Sequence, residues 1–374
     1  MIIGKLNEFG RCADSWIALQ RITWNQVQLR FGLGYFTKDI SAVLCRGDEE
    51  IGRFTPRSTN SAGQIVFDGL QPDTEYGIIF SADGQSCRRT FRTQPEPQGK
   101  KLFKLAVFAD MHISCATEDL HGRLHSESRS LMQLAFTQAV KNNCDAAIFP
   151  GDVVDEGYQE EYEAVAEGLK YLYIPYFTTP GNHDICNGGA ARFAQFFGAG
   201  AYLKELYGYQ LAALDTADEK LDKAANRAVI EAIDPARPVI LFTHYQLFAD
   251  EWIPDANRVI ADAQSPANVP LLEKLAACNV IAYIGHKNVA TQVKKGNLIQ
   301  LNMPQLTHFP AGYLEAEFYT DGIWHSFIPI GSEILNEYSR RGIEDARYHS
   351  HPACDCKSKY RDGYTVEYWN GVLK

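Results

Sequence analysis

The stretch Ala146-Ala147-Ile148-Phe149-Pro150-Gly151-Asp152-Val153-Val154-Asp155 decides the fold. Its first half is a short apolar run of strand length, the pattern of a strand buried on both faces. It breaks into a glycine and then two carboxylates with two valines between them. Polar residues placed at the end of a buried strand belong to an α/β sheet, where ligands bind in the crevice beyond the strands' carboxyl ends.

The same grammar recurs on either side. Leu102 to Phe108 reads as a strand and leads into Asp110-Met111-His112. Pro175-Tyr176-Phe177 precedes Gly181-Asn182-His183-Asp184, and Val239 to Phe242 precedes Thr243-His244. Val280 to Ile284 precedes Gly285-His286-Lys287-Asn288. Helical spacing fills the crossovers, over 127–142 through Leu131, Leu134, Ala135 and Ala139, and over 159–171. The section 297–330 reads as antiparallel strands with a turn at Asp321-Gly322, and 332–347 as a last helix before a polar tail. Alternating strands and helices predict a layered α/β domain. Each cluster alone arises by chance in many chains. Five in this order, all at strand ends, describe one crevice.

That crevice offers carboxylate, imidazole and amide oxygen but no cysteine. Such a mixed donor set suits borderline and harder divalent ions, namely Mn, Fe or Zn. A carboxylate can bridge two ions, and a pair about 3.5–4 Å apart clamps an in-line displacement at phosphorus. Competing nucleophile motifs are missing: there is no G-x-S-x-G, no P-loop and no H-E-x-x-H.

The five clusters resemble the D-x-H, G-D-x-x-D, G-N-H-[DE], H and G-H-x-H motifs of the calcineurin-like metallophosphoesterases, over roughly residues 102–330. Spacings of 42 residues from Asp110 to Asp152 and 30 from Asp152 to Asn182 leave room for one helix in each crossover. The resemblance implies a four-layer α/β sandwich and a binuclear metal-dependent hydrolase of phosphoesters, attacking in line through a metal-bridging hydroxide. By the same resemblance, Asp110 and His112 would hold the first metal and Asp152 would bridge both. Asn182, His244 and His286 would complete the second. His183 would not ligate; steadied by Asp155, it would protonate or stabilise the leaving oxygen.

Two positions depart from the family. Asn288 stands where the second His of G-H-x-H would ligate the first metal. An amide oxygen is a weaker donor than imidazole, so the first site is expected to be weakened or tuned to a harder ion, unless His308 supplies the ligand. Glu156 stands where the protein-phosphatase branch carries an Arg that grips phosphate. Its charge would repel a dianion, which favours a small phosphodiester or phosphonate ester over a monoester of a nucleotide or sugar. A non-catalytic, ligand-binding member with a weakened site is the reading of a different class. Arg123, His121 and His125 lie in the loop after D-x-H, and Tyr245 follows His244; surface or core roles compete with substrate contact for all four. Asn187-Gly188-Gly189 reads as a turn.

The first hundred residues are of another kind. Trp16 to Leu19, Val27 to Phe31, Ile65 to Phe67 and Tyr76 to Phe80 are short strands between polar turns. They predict an all-β, immunoglobulin-like sandwich. Leu70-Gln71-Pro72-Asp73-Thr74-Glu75-Tyr76 resembles the segment before strand F of fibronectin type III domains, where the tyrosine makes a corner hydrogen bond. A sandwich ahead of such a catalytic domain also resembles the purple acid phosphatases, although His112 occupies the D-x-H position of the non-purple branch. The pieces expected are a sandwich over 1–97, a Pro- and Gly-rich linker at 94–100, a catalytic domain over 102–330 and a helix with polar tail over 331–374.

Composition narrows the partners. Of 374 residues, 45% are hydrophobic and 22% charged, an ordinary globular balance. The net charge is −10, and residues 101–330, with 17 basic against 28 acidic side chains, hold all of the imbalance. Such a surface repels long polyanions, so no nucleic-acid partner is expected on charge alone. No apolar run approaches the ~18 residues of a membrane span. Nine irregularly spaced cysteines behind a start lacking a secretion signal predict reduced thiols in a cytoplasm. Cys354 and Cys356, with His349 and His351, lack the loop spacing of known zinc sites. A small-molecule phosphoester is the expected substrate, and a homo-oligomer is left open.

Overall fold

The structure is a computed structural model that describes residues 16–33, 39–55, 62–249, 260, 262, 265–286, 291–348 and 370–374. Seven strands come first: β1 (Trp16–Ile22), β2 (Gln26–Gly32), β3 (Ile40–Arg46), β4 (Glu49–Phe54), β5 (Ala62–Asp68), β6 (Glu75–Ala82) and β7 (Gln85–Arg92). They form a three-stranded sheet, β1-β2-β5, facing a four-stranded sheet, β4-β3-β6-β7. Val27, Leu29 and Phe31 from one sheet meet Ile78 and Phe80 from the other in a shared core. The Gln71 N–H donates to the Tyr76 hydroxyl at 2.9 Å, which is the tyrosine corner expected from sequence.

The second part runs β8 (Lys101–Val107), α1 (Ser128–Lys141), β9 (Ala146–Pro150), α2 (Gln159–Gly168), β10 (Tyr176–Thr179), α3 (Gly189–Phe197), β11 (Tyr202–Leu206), β12 (Tyr209–Leu214), α4 (Ala224–Ala232) and β13 (Val239–Thr243). It continues with α5 (Val269–Ala277), β14 (Val280–Ile284), β15 (Gln292–Lys295), β16 (Leu298–Asn302), β17 (Gly312–Tyr319), β18 (Gly322–Pro329), α6 (Glu333–Tyr348) and β19 (Gly371–Leu373). Two six-stranded sheets result, β10-β9-β8-β17-β18-β19 and β11-β12-β13-β14-β16-β15.

Strand periodicity explains the layering. Leu105 and Val107 of β8 turn to a core between the two sheets, where they join Leu211, Ile240, Phe242 and Tyr283. Ala106 and the adjoining Phe108 turn the other way, to α1, α2 and α3. The second sheet sends Val239, Leu241, Val280 and Ala282 outward to α4 and α5. Helices, sheet, sheet and helices make four layers, with β9, β13 and β14 buried along their whole length.

Several expectations need correction. In α1 the buried stripe is Leu131, Met132, Ala135, Phe136 and Ala139, whereas Leu134 is exposed. The 297–330 section is not uniformly antiparallel, because β16 runs parallel to β14. Tyr319 pairs with Gly322, so the hairpin turns on Thr320-Asp321, one residue earlier than expected. Asn187-Gly188-Gly189 spans a short 3-10 turn and the first residue of α3. The end of the chain is not merely a polar tail, since β19 pairs with β18.

The sandwich is docked by specific polar contacts. Arg30, 1% exposed, reaches Glu333 of α6 at 2.5 Å, and α6 packs against β2 and β5. Asn370 staples the two parts: its Oδ1 accepts the N–H groups of Ile22 at 3.0 Å and Phe327 at 3.1 Å, while its Nδ2 donates to the Gln20 carbonyl. The Trp324 indole donates to the Pro95 carbonyl at 2.7 Å.

Candidate metal centre

The described residues of the five polar clusters sit at or beyond the carboxyl ends of β8, β9, β10, β13 and β14. The loops after β8 and β9 stay in register past the sheet. Asp110 N donates to Gly151 O, His112 N to Asp152 O, and Asp155 N to Ile113 O, at 3.0–3.2 Å. Three motif glycines let the loops approach this closely. A β-carbon on Gly151 would stand 2.6 Å from His244 Nδ1, one on Gly181 2.2 Å from Asp152 Oδ1, and one on Gly285 2.5 Å from the Pro150 carbonyl. Four polar residues there adopt left-handed backbone: Asp110 (φ 49°), His112 (43°), Asp152 (49°) and His286 (71°). Each costs on the order of 1–2 kcal/mol for a residue with a side chain, and such strain collects where geometry serves function.

The side chains converge on Asp152. Its Oδ2 is 3.1 Å from His244 Nε2 and 3.6 Å from His112 Nε2, and its Oδ1 accepts the His183 N–H at 2.9 Å. His244 Nε2 also meets Asn182 Oδ1 at 2.9 Å and His286 Nδ1 at 3.2 Å. Asp110 accepts the His286 N–H and lies 3.9 Å from His112 Nε2. Two groups with mutually close ligand atoms share Asp152: Asp110–His112–Asp152, and Asp152–His244–His286. This donor set fits a pair of divalent ions. One atom makes the point directly: His112 Nε2 is buried without a hydrogen-bond partner, between two carboxylates.

Charge follows burial and neighbours. Burial drives the His112 ring down to about 3, with the Arg123 charge adding to it, so the ring is neutral and its nitrogen free to ligate. Burial, opposed by the His244 charge and reinforced by Asp152, raises the Asp110 carboxyl to about 7. Burial would also raise Asp152, but His244 outweighs it and holds that carboxyl well below the usual range. His244 moves the opposite way: burial opposes its charge, yet Asp152 lifts it to about 9.

Asp155 organises the next layer. Its Oδ1 is 3.1 Å from His112 Nδ1 and 3.2 Å from Arg123 Nη1, and its Oδ2 is 3.3 Å from His125 Nε2. A carboxylate on the far nitrogen of a candidate ligand fixes its tautomer and aim. His183 is steadied less by that carboxylate, 3.6 Å away, than by the Asp155 carbonyl, which accepts from its Nδ1. Asp184 went unassigned in sequence although it closes G-N-H-D. It is fully buried and accepts the N–H groups of Gly181, Val153 and Val154 at 2.7, 3.2 and 2.9 Å, tying two motif loops together.

The remaining candidates fall as follows. Asn288 lies outside the described residues, as do Cys354, Cys356, His349 and His351. His308 faces the His121 carbonyl at 3.2 Å and joins neither group around Asp152, so it is not placed as a substitute ligand. Glu156 is exposed, with its carboxylate 3.3 Å from Asn187 Nδ2, so its repulsion is softer than the sequence implies. Tyr245 is buried, its ring 4.2 Å from that of His286 and its hydroxyl on Glu219. A cavity of about 500 Å³ opens beside Asp155, Glu156 and His125.

The sequence model of the calcineurin-like phosphoesterase family matches residues 103–287. The chain belongs to the calcineurin-like phosphoesterase family through that segment. A probable glycerophosphodiester phosphodiesterase of Arcobacter nitrofigilis is 37% identical over 76 residues, covering 20% of this chain and 28% of that protein. A glycerophosphodiester phosphodiesterase of Enterobacter lignolyticus is 29% identical over 80 residues, covering 21% and 29%. The chain thus spans less than a third of the length of these curated relatives. A dimetal phosphatase from Danio rerio has a TM-score of 0.49 at 12% identity, covering 63% of this chain and 99% of that one. A purple acid phosphatase from yellow lupin has a TM-score of 0.47 at 12% identity, covering 84% and 71%. The family segment contains Asp110, His112, Asp152, Asn182, His183, His244 and His286. No helix among the described residues is long and apolar enough to cross a membrane.

Proposed function

We propose that the chain is a binuclear metal-dependent hydrolase of a small phosphodiester or phosphonate ester. The observation that carries this is the convergence of imidazoles and carboxylates from different strand ends on Asp152, beside a buried His112 nitrogen with no hydrogen-bond partner. Asp110, His112 and Asp152 would hold one ion, and Asp152, Asn182, His244 and His286 the other, with Mn, Fe or Zn suited to the donors. Bound there, the ions would supply Lewis acidity, neutralising phosphoryl oxygens and acidifying water.

The protein's own groups do the rest. Asp155 holds the His112 ring from its Nδ1 side, leaving Nε2 for the ion. The Asp155 carbonyl can only accept, so His183 carries a proton on Nδ1 and keeps Nε2 for the substrate. In its imidazolium form that Nε2 can donate to the departing alkoxide oxygen. A diester is favoured by two things: the named activity of the two relatives, and the carboxylate of Glu156 at the rim. The test is turnover of bis(4-nitrophenyl) phosphate, a phosphonate ester and 4-nitrophenyl phosphate by chelated protein restored with each ion. Diester hydrolysis that needs metal, and is lost in Asp152→Asn, is expected. Faster monoester hydrolysis would overturn the substrate class, and no metal-dependent turnover would overturn the reaction.

A further inference from the structure

We propose that Arg123 is a substrate-binding residue of this site, gripping a non-bridging oxygen of the phosphoryl group from the loop that follows Asp110-Met111-His112. The inference rests on the phosphoesterase reading above and adds a residue to it. The position after Gly-Asp-x-x-Asp carries Glu156, so no cation comes from there. The structure brings one from elsewhere. Arg123 Nη1 lies 3.2 Å from Asp155 Oδ1, the same oxygen that lies 3.1 Å from His112 Nδ1 and 3.6 Å from His183 Nδ1. Among the described residues, no other Lys or Arg pairs with Asp110, Asp152, Asp155 or Asp184.

A guanidinium has five donors, and Arg123 spends one. Its Nε is buried with no hydrogen-bond partner, while the side chain stays 26% exposed. Holding Asp155 alone would not need such a reserve, but two parallel bonds to phosphate oxygens would. The backbone is fixed for the task. Arg123 exchanges hydrogen bonds with Leu120, Leu124 N donates to the Thr307 carbonyl at 2.8 Å, and Arg123 bridges to His308. Gly122 sits against Gly342 of α6, where a β-carbon would come within 2.7 Å of Gly122 N, and Ser339 Oγ donates to the Gly122 carbonyl.

Calorimetric titration of the metal-restored full chain with inorganic phosphate tests this without turnover. Charged hydrogen bonds of this kind are worth about ten- to a hundredfold in affinity. Arg123→Gln, which can still donate to Asp155, should weaken phosphate by that factor with metal content unchanged, and should raise KM for the diester more than it lowers kcat. Arg123→Lys should fall between. A merely structural role would change thermal stability and kcat but leave phosphate affinity alone. Wild-type phosphate affinity in Arg123→Gln, or in Arg123→Lys should the first variant not fold, overturns the proposal. A wild type that binds phosphate through Arg123 yet turns over no phosphoester would overturn the reaction and leave the binding role standing.

Discussion

Gly181→Ala separates a glycine needed for close approach from one needed for backbone conformation. A β-carbon at 181 would stand 2.2 Å from Asp152 Oδ1 and 2.4 Å from Asp152 N. Neither atom is the free end of a flexible chain. Asp152 is 1% exposed, its Oδ1 takes the His183 N–H, and its Oδ2 faces His244. Gly181 is not in left-handed backbone, so the alanine adds no conformational strain of its own. The loss therefore comes from displacing Asp152, and crowding of this kind costs about 1–3 kcal/mol of stability. The sharper readout is linkage to metal. At a free ion concentration a hundredfold above Kd, binding adds about 2.7 kcal/mol to folding, and a tenfold weaker site would add only about 1.4. Urea unfolding of the chelated and Mn-restored chain measures that increment. Gly208→Ala is the control: its φ is +89° and no heavy atom lies within 4 Å of the β-carbon. It should lose about 1–2 kcal/mol to backbone strain and keep the full metal increment. Equal increments in the two variants would refute the reasoning that Gly181 exists to admit Asp152.

Three further outcomes are expected. Asp155→Ala removes the acceptor on His112 Nδ1, so one of two ions should bind about 10–100-fold more weakly; competition with a chelator reads this, and an unchanged affinity for both ions counts against it. His325 is held neutral, its pKa lowered by burial to about 3, with the Tyr283 hydroxyl 2.9 Å away. Below its ordinary value of about 6.5 the unfolded chain takes up a proton that the folded chain refuses. Stability is therefore lost as pH falls from about 6.5 towards 3, by up to about 1.4 kcal/mol per unit, and is unaffected above. Urea unfolding at pH 7 and pH 5 should show His325→Gln escaping about 2 kcal/mol of the wild-type loss, and parallel curves would sink the idea. Glu333→Ala leaves the buried Arg30 charge, among the described residues, with Gln20 and Gly331 as partners, so about 2–3 kcal/mol should go, discounting a buried pair because Glu333 is 17% exposed. Limited proteolysis should then cut the sandwich first; wild-type resistance would argue that the pair is not what docks it.

What sequence made legible was local. Ala146 to Phe149 announces a buried strand by itself, and Gly151-Asp152 announces its loop, because strand and loop chemistry are written in neighbouring residues. The tyrosine corner is similar, since Tyr76 and Gln71 are five apart. Elements with mixed composition were not legible. β11 pairs Lys204 and Glu205 with β12 on a sheet edge, where polar side chains face solvent and period-two alternation is weak. β19 is three residues long and is a strand only because β18 offers an edge. Partnerships across the chain were hidden for the same reason. His112 and Asp155 are 43 residues apart, and Arg123 reaches Asp155 over 32. Residue types suggested each as a site member, but only the fold shows that His112, Arg123, His125 and His183 share one carboxylate.

A sandwich beside a catalytic domain can shape the site or make a dimer, and α6 gives physical content to the first. One face of α6 packs on β2 and β5 and carries Glu333 to the buried Arg30. Further along, Ser339 and Gly342 press on Gly122, and Ser339 Oγ also accepts the Phe309 N–H at 2.9 Å. Gly122 precedes Arg123, and Phe309 follows His308. Among the described residues, α6 therefore links the sandwich to the loop that supplies Arg123, gripped from both sides. A close-packed interior transmits a shift rather than absorbing it, so loosening Arg30–Glu333 should reach the metal centre as a change in where Arg123 stands. That links two of the experiments above. If Glu333→Ala weakens phosphate binding as Arg123→Gln does, while Gly208→Ala does not, then the sandwich sets the geometry of the pocket through α6. If Glu333→Ala lowers stability and leaves phosphate affinity intact, α6 is a clamp and nothing more.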